Sequence, residues 1–170
     1  MRYAQIRKLD VSNGTGVGIS LFVQGCHFHC FNCFNQETWN FDGGKEWTPD
    51  VEKRFLELAN RPYIKRVSIL GGEPLADENV DTVIDLCEKL FGKTIWVYTG
   101  YRKEEIPAPI WKRLSHHISY LVDGRYNDRL KNPQLHFRGS SNQRIWRKNK
   151  SGEWRIIDFN KLNEEVNVIG

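Results

Sequence analysis

The sequence predicts an α/β protein built on a parallel sheet, with its ligand edge at the carboxyl ends of the strands. Two observations carry that expectation. Four short runs rich in β-branched and aromatic residues alternate with segments of helical period, the pattern left by parallel strands joined through crossovers. Each run also stops at a chemically distinctive signal: a cysteine loop after the first, Gly71-Gly72-Glu73-Pro74 after the second, Thr99-Gly100 after the third and Asp123-Gly124 after the fourth. Ligands of such sheets bind beyond the carboxyl ends of the strands, so four distant signals converge on one edge.

In chain order the runs are Ile19–Val23, Val67–Leu70, Thr94–Tyr98 and Ile118–Val122. Thr48 is placed to cap a helix that opens with Pro49, and Val51, Phe55 and Leu58 follow at i, i+4 and i+7. A second helix is expected over Glu78–Phe91, with Val80, Val83, Ile84, Cys87 and Phe91 on one face and Gly92 as its stop. A third covers Pro109–Leu114. Arg144–Arg147 and Trp154–Phe159 read as further strands around a turn at Asn149–Gly152. No repeat, low-complexity segment or linker divides the chain. One domain over residues 1–170 is expected, its 125–170 part basic.

The 170 residues are 39% hydrophobic and 27% charged, which excludes a disordered or collagen-like chain. No apolar run approaches the roughly 18 residues of a spanning helix, so no membrane is expected, and the polar start of the chain points to a cytoplasmic address. The net charge of +4 is unevenly placed. Residues 125–155 hold nine Lys and Arg against Asp128 and Glu153, a local +7 that leaves −3 for the remainder. Aromatics interleave with these charges, as in some nucleic-acid binders. The stretch is read instead as a solvated face or a docking surface for an acidic protein, beside the mouth of the site, with no nucleic acid as partner.

Four cysteines are present, three of them within eight residues: Cys26-His-Phe-His-Cys30-Phe-Asn-Cys33. Without a secretory context such clustering means metal rather than disulfides. Three thiolates on one loop suit an iron–sulfur cluster, and three leave one iron of a 4Fe–4S cube open to a substrate. A zinc site completed by His27, His29 or Cys87 is the alternative on spacing alone. Cys87 lies on the apolar face of the second helix and reads as core. Gly14, Gly16 and Gly18 precede a strand instead of following one, so they are no dinucleotide loop. Trp39 and Trp96 read as packing residues.

The cysteine loop and the Gly-Gly-Glu-Pro turn resemble the radical S-adenosylmethionine superfamily. Asn13-Gly-Thr-Gly16, Leu21-Phe-Val-Gln-Gly-Cys26, Cys33-Phe-Asn-Gln-Glu-Thr-Trp39, Tyr98-Thr-Gly-Tyr101, Val122-Asp-Gly-Arg-Tyr126 and Arg138-Gly-Ser-Ser-Asn-Gln-Arg144 narrow the likeness. Together they resemble the activating proteins of anaerobic ribonucleoside-triphosphate reductase over residues 6–147. The resemblance implies an open, partial (β/α) barrel with the cluster at the carboxyl end of its strands. It implies an oxidoreductase that cleaves S-adenosylmethionine reductively at a 4Fe–4S cluster and installs a glycyl radical in the reductase, fed by a low-potential donor such as flavodoxin. Cys26, Cys30 and Cys33 then match the cluster ligands. Gly72 matches the point where backbone approaches the amino group of S-adenosylmethionine, in a turn shaped by Gly71, Glu73 and Pro74. Asn32 and Phe34 flank the last ligand where the loop touches that cofactor, and Thr99 and Asp123 end their strands near the ribose or a cation. His27 and His29 are loop residues that either tune the cluster or stay solvated. Two rivals stand beside this reading: an activase of another glycyl-radical enzyme, of the pyruvate formate-lyase type, and a non-catalytic iron–sulfur or zinc module.

Overall fold

The computed structural model describes residues 1–161, which form one mixed sheet with helices against it. The strands are β1 (Arg2–Asp10), β2 (Gly18–Val23), β3 (Lys45–Glu46), β4 (Arg66–Gly71), β5 (Thr94–Tyr98), β6 (Tyr120–Asp123), β7 (Arg144–Lys148) and β8 (Trp154–Ile156). The helices are α1 (Pro49–Ala59), α2 (Val80–Lys89) and α3 (Ala108–Ser115). The lateral order is β3-β1-β2-β4-β5-β6-β7-β8. The four strands expected from the sequence are the central ones, and they run parallel. Antiparallel pairs flank them on both sides.

Alternation along the strands gives the sheet two unlike faces. Ile19, Leu21, Val23, Val67, Ile69, Ile95, Val97 and Leu121 point to one face, where Phe55 and Leu58 of α1, Val83 and Ile84 of α2 and Leu114 of α3 join them in the main core. The residues between them point the other way, to a face that α1, α2 and α3 leave uncovered. There Trp96 stacks on Tyr120 at 4.2 Å and meets the edge of Phe137 at 5.3 Å, beside Val122 and Ile145. That smaller core fills only part of the inner face, and the carboxyl end of the sheet stays open.

Local chemistry explains the helix boundaries. The amide of Val51 donates to Thr48 Oγ1 at 3.2 Å, so α1 starts as its cap predicts. Helix α2 is shorter than expected. The backbone leaves the helix at Leu90, and Gly92 adopts φ +81°, which swings Phe91 off the apolar face to 95% exposure. Strand β1 was not anticipated. Arg2, Arg7, Lys8 and Asp10 break its apolar pattern, because it pairs outside the parallel centre and is mostly half-buried or exposed.

The basic segment divides. Strand β7 runs against β6, pairing Asp123 with Arg144 and Tyr120 with Arg147. Residues 125–144 therefore lie at the carboxyl edge, while Arg147, Lys148 and the turn holding Lys150 lie at the amino edge. Lys148 Nζ donates to the Ser115 carbonyl at 2.8 Å, closing the end of α3. The expectation that the whole stretch borders the mouth is thus corrected: the strand reversal carries its second half away. Residues 162–170 of the expected 125–170 part lie outside the described residues. No described helix is long and apolar enough to cross a membrane.

The Asn13–Gly16 loop wraps a buried cation. Arg66, at the start of β4 on the inner face, donates to the carbonyls of Thr15 (2.9 Å), Asn13 (3.3 Å) and Asp10, and to Ser68 Oγ. The Asp10 carboxylate lies 3.9 Å from Arg66 Nη1. Burial alone would raise the Asp10 pKa, but hydrogen bonds from Ser20, Ser12 and Asn13 and the Arg66 charge hold it below its ordinary value. Removing one partner of such a pair strands the other without solvent. Arg66→Ala is expected to destabilise the fold by about 3–5 kcal/mol in urea unfolding. A loss under about 1 kcal/mol, the scale of an exposed pair, would show that water reaches the network.

Candidate functional site

A cavity of about 410 Å³ opens at the carboxyl end of the parallel strands, on the face opposite α1, α2 and α3. Its floor is the inner-face set Phe22, Leu70, Tyr98 and Val122. Around that floor the structure brings together Cys26, Cys30, Cys33, Phe34, Gly71, Gly72, Glu73 and Thr99. Asn32, Pro74 and Asp123 are not on its wall.

The cysteine loop leaves β2 at Gly25. Gly25 N donates to the Thr38 carbonyl at 2.6 Å and Cys26 N to that of Trp39 at 3.1 Å, so the loop returns on itself. His29 (φ +48°) and Asn32 (φ +55°) adopt left-handed backbone, which curls the chain between the thiols. Asparagine tolerates that conformation, and the His29 ring is held by stacking on Trp39 at 4.5 Å. The Asn32 side chain points away from the cavity and donates to Asp128 Oδ2 at 3.2 Å.

Each cysteine sulfur faces backbone amides. The N–H groups of Phe28 and His29 face Cys26, that of Tyr126 faces Cys30, and Asn35 N lies 3.4 Å from Cys33 Sγ. Burial pushes the Cys26 and Cys30 thiols up, and the amides oppose it by favouring anionic sulfur. Three sulfurs set around one cavity with N–H donors behind them fit a polynuclear thiolate cluster, whose potential such donors tune. The side chains that would complete a zinc site are engaged elsewhere, with the His29 ring stacked on Trp39. His27 Nε2 pairs with Glu78 Oε1 at 2.9 Å, and Cys87 is buried in the core with its thiol pushed up to about 12 by burial.

The glycine turn is packed backbone to backbone on the cysteine loop. Gly72 N donates to the Val23 carbonyl at 2.9 Å and Glu73 N to that of Gly25 at 2.7 Å. A Cβ on Gly72 would stand 2.4 Å from the Gly25 oxygen, and Gly71 takes φ +110° with the Val23 backbone 2.7 Å from where its Cβ would be. The Glu73 carboxylate is buried and accepts from Leu75 N (2.8 Å), Gly100 N (2.7 Å) and Thr99 Oγ1 (2.8 Å). Burial nevertheless pushes its pKa up to about 7.

Asp123 is placed differently from the expectation of a ribose or cation contact. It is fully buried, and its carboxylate accepts from Arg144 Nε (3.0 Å), Arg144 Nη2 (2.6 Å) and Lys103 N (2.7 Å), clamping β6 to β7. The sequence reading missed the fourth wall. Arg125, Tyr126, Phe137, Arg138, Gly139 and Gln143 line the cavity, and Arg7 of β1 faces them. The Val122–Tyr126 and Arg138–Arg144 strings that narrowed the resemblance were the available signal. Their residues hold each other: Gln143 Oε1 accepts from Gly139 N and Ser140 N, and Gln143 Nε2 donates to the Gly124 carbonyl.

Gly72→Ala is expected to force the turn off the Gly25 carbonyl and to cost about 1–3 kcal/mol, the scale of overpacking. Urea unfolding of the variant measures this, and an unchanged midpoint would mean that the two backbones separate freely.

Comparison with known proteins identifies the family. The model of a 4Fe-4S single cluster domain matches residues 12–146. The anaerobic ribonucleoside-triphosphate reductase-activating protein of Salmonella typhi is 39% identical over 149 residues, covering 84% of this chain and 96% of its own length. That of Escherichia coli (strain K12) is 38% identical with the same coverage. The one from Enterobacteria phage T4 is 33% identical over 159 residues, 91% of this chain and 99% of its own. With its thiols, glycine turn and capping wall contained in the matched span, the chain belongs to the family of anaerobic ribonucleoside-triphosphate reductase-activating proteins.

Proposed function

We propose that this protein generates the glycyl radical of an anaerobic ribonucleoside-triphosphate reductase, with a 4Fe–4S cluster on Cys26, Cys30 and Cys33 and S-adenosylmethionine beside it. The observation that carries the reading is the meeting of those three thiols with Gly71, Gly72 and Glu73 in one cavity at the carboxyl ends of parallel strands. When bound, a cluster of this kind supplies one electron that splits S-adenosylmethionine into methionine and a 5′-deoxyadenosyl radical, which takes a hydrogen atom from the partner's glycine. The protein's contribution is position, electrostatics and exclusion of water.

Cys26, Cys30 and Cys33 would hold the cluster through their three sulfurs. Gly71 and Gly72 present backbone at the cavity, and Phe34, at its rim, offers a ring face to an adenine. Thr99 and Glu73 fix the turn from behind, so their part is to orient it. Asn32 and Asp123 act through the shape of the loop and the clamp on β7, not through contact. The apolar floor of Phe22, Leu70 and Val122 keeps a reactive radical away from water. The parallel centre with helices on one face and the cavity on the other supports a partial (β/α) barrel of the radical S-adenosylmethionine type. We read residues 1–170 as one such domain, working in the cytoplasm with a low-potential donor such as flavodoxin.

The test is anaerobic reconstitution with iron and sulfide. Dithionite-reduced protein is expected to form 5′-deoxyadenosine from S-adenosylmethionine and to raise a glycyl-radical signal in the reductase. Ala at Cys26, Cys30 or Cys33 abolishes both along with the brown absorption, while Cys87→Ala keeps all three. If Cys87→Ala loses the cluster and Cys33→Ala keeps it, the ligand assignment is wrong. Cleavage without radical transfer would assign the chain to a different glycyl-radical enzyme.

A further inference from the structure

We propose that the outer side of the cysteine loop, centred on Phe31 and rimmed by Arg129 and Lys131, is where the electron donor docks, and that the donor is a small acidic one-electron carrier protein. The proposal rests on the reading of a reducible cluster in the cavity. Phe31 stands between Cys30 and Cys33, yet it is 77% exposed and takes no part in the cavity wall. It lines a second, open concavity of about 500 Å³ on the other side of the loop, facing Arg125 and Arg129. Leu130, next to Arg129 in the chain, is exposed, and Lys131 Nζ sits 5.5 Å over the ring of Phe34, itself 61% exposed.

Arg125 is paired with Glu105 at 3.1 Å, and the charges of Arg129 and Lys131 are available. Among the described residues the Arg129 guanidinium has no hydrogen bond or ion pair, and Lys131 has only that ring contact. The adjacent carboxylate is engaged: Asp128 accepts from Tyr126 Oη at 2.9 Å and from Asn32 Nδ2. An exposed aromatic centre with a cationic rim has the make-up of a protein-binding surface, in which the ring anchors and the charges steer an acidic partner. Position selects the partner. The two residues between Cys30 and Cys33 are the shortest covalent bridge between two sulfurs, so a carrier seated on Phe31 brings its redox group against the sulfur-bearing loop. The cavity on the loop's inner side stays free for the radical's substrate. One electron leaves the carrier and is consumed in splitting the sulfonium of one S-adenosylmethionine, with no proton transferred in that step.

The experiment compares wild type with Phe31→Ser, Arg129→Ala and the double variant Arg129→Glu, Lys131→Glu, all reconstituted, with flavodoxin as the probe. The first readout is the affinity for oxidised flavodoxin, which is independent of turnover. A loss of about tenfold or more is expected for Phe31→Ser and for the double variant at low salt, with a smaller loss for Arg129→Ala and a weaker salt dependence in the charge variants. The second is the rate at which reduced flavodoxin is oxidised, which falls in parallel, while dithionite-driven formation of 5′-deoxyadenosine stays at the wild-type level. Unchanged flavodoxin affinity in all three variants overturns the proposal, and weakened binding of the reductase alone assigns the surface to the reductase instead. If wild-type protein forms no 5′-deoxyadenosine with dithionite, the proposed function fails, and the flavodoxin affinities still decide the docking surface.

Discussion

The site depends on one close approach between two backbones. The amide of Glu73 meets the Gly25 carbonyl at 2.7 Å, one residue before the first cysteine, and only glycine at positions 71 and 72 leaves room for it. Through that contact the end of β4 carries the root of the cysteine loop. Glu73 extends the tie sideways by accepting from Thr99 and Gly100 at the end of β5. Asn79, which could have capped α2, spends its side-chain amide on the carbonyls of Gln24 and Glu73. Three strand ends are thus fixed to one another through hydrogen bonds in a volume with little apolar side chain. The loop that carries the thiols inherits its position from the sheet rather than from its own folding.

The sheet can serve this purpose because its two faces do different work. The outer face packs against three helices and supplies the hydrophobic stabilisation. The inner face carries groups that a conventional core would avoid: Ser20, Arg66, Ser68 and Tyr98 lie among Phe22, Leu70 and Trp96. At its amino end the polar set is closed around Arg66, whose buried guanidinium is satisfied by two carbonyls of the Asn13–Gly16 loop, the carbonyl and charge of Asp10 and the Ser68 hydroxyl. At its carboxyl end the same face is left open. Two glycines there have a structural reason: Gly14 of the loop and Gly18 at the start of β2 lie against Arg66 and admit no Cβ.

What the sequence revealed follows from what is local. The central strands, the capped start of α1 and the cysteine loop were legible because each is fixed by neighbours in the chain or by a single period. Of the features set by pairing partners, β7 and β8 were read from their residues and the rest were not. Strand β1 hides behind Arg7 and Lys8, since an antiparallel flank needs no apolar run. Phe91 fits the periodicity of α2 but falls after the turn that ends it. Asp123 looked like a ligand at a strand end, and only the β6–β7 register reveals Arg144 opposite it. The same reversal moves Arg147 and Lys148 to the far edge, which charge counting along the chain has no means to detect. Asn32 sits beside the third thiol for its backbone conformation, a requirement that sequence proximity to a ligand imitates.

The fourth wall shows how a chain of this length encloses a site at all. The segment from Gly124 to Gln143 has almost no regular structure and contributes few residues to either core, yet it faces the thiols directly, with the Tyr126 amide toward Cys30. Its stiffness comes from polar closure: Gln143 bonds to residues 124, 139 and 140, and Asn142 donates to the Arg125 carbonyl. Phe34 rests on it, since a Cβ at Gly139 would lie 3.0 Å from that ring. A wall held by exposed and half-buried hydrogen bonds opens at lower cost than a sheet held by buried apolar area. The rigid and the yielding sides of the cavity therefore meet at the cysteine loop, the sheet side holding the thiols in place. The wall opposite is the side on which a macromolecular substrate meets the least resistance.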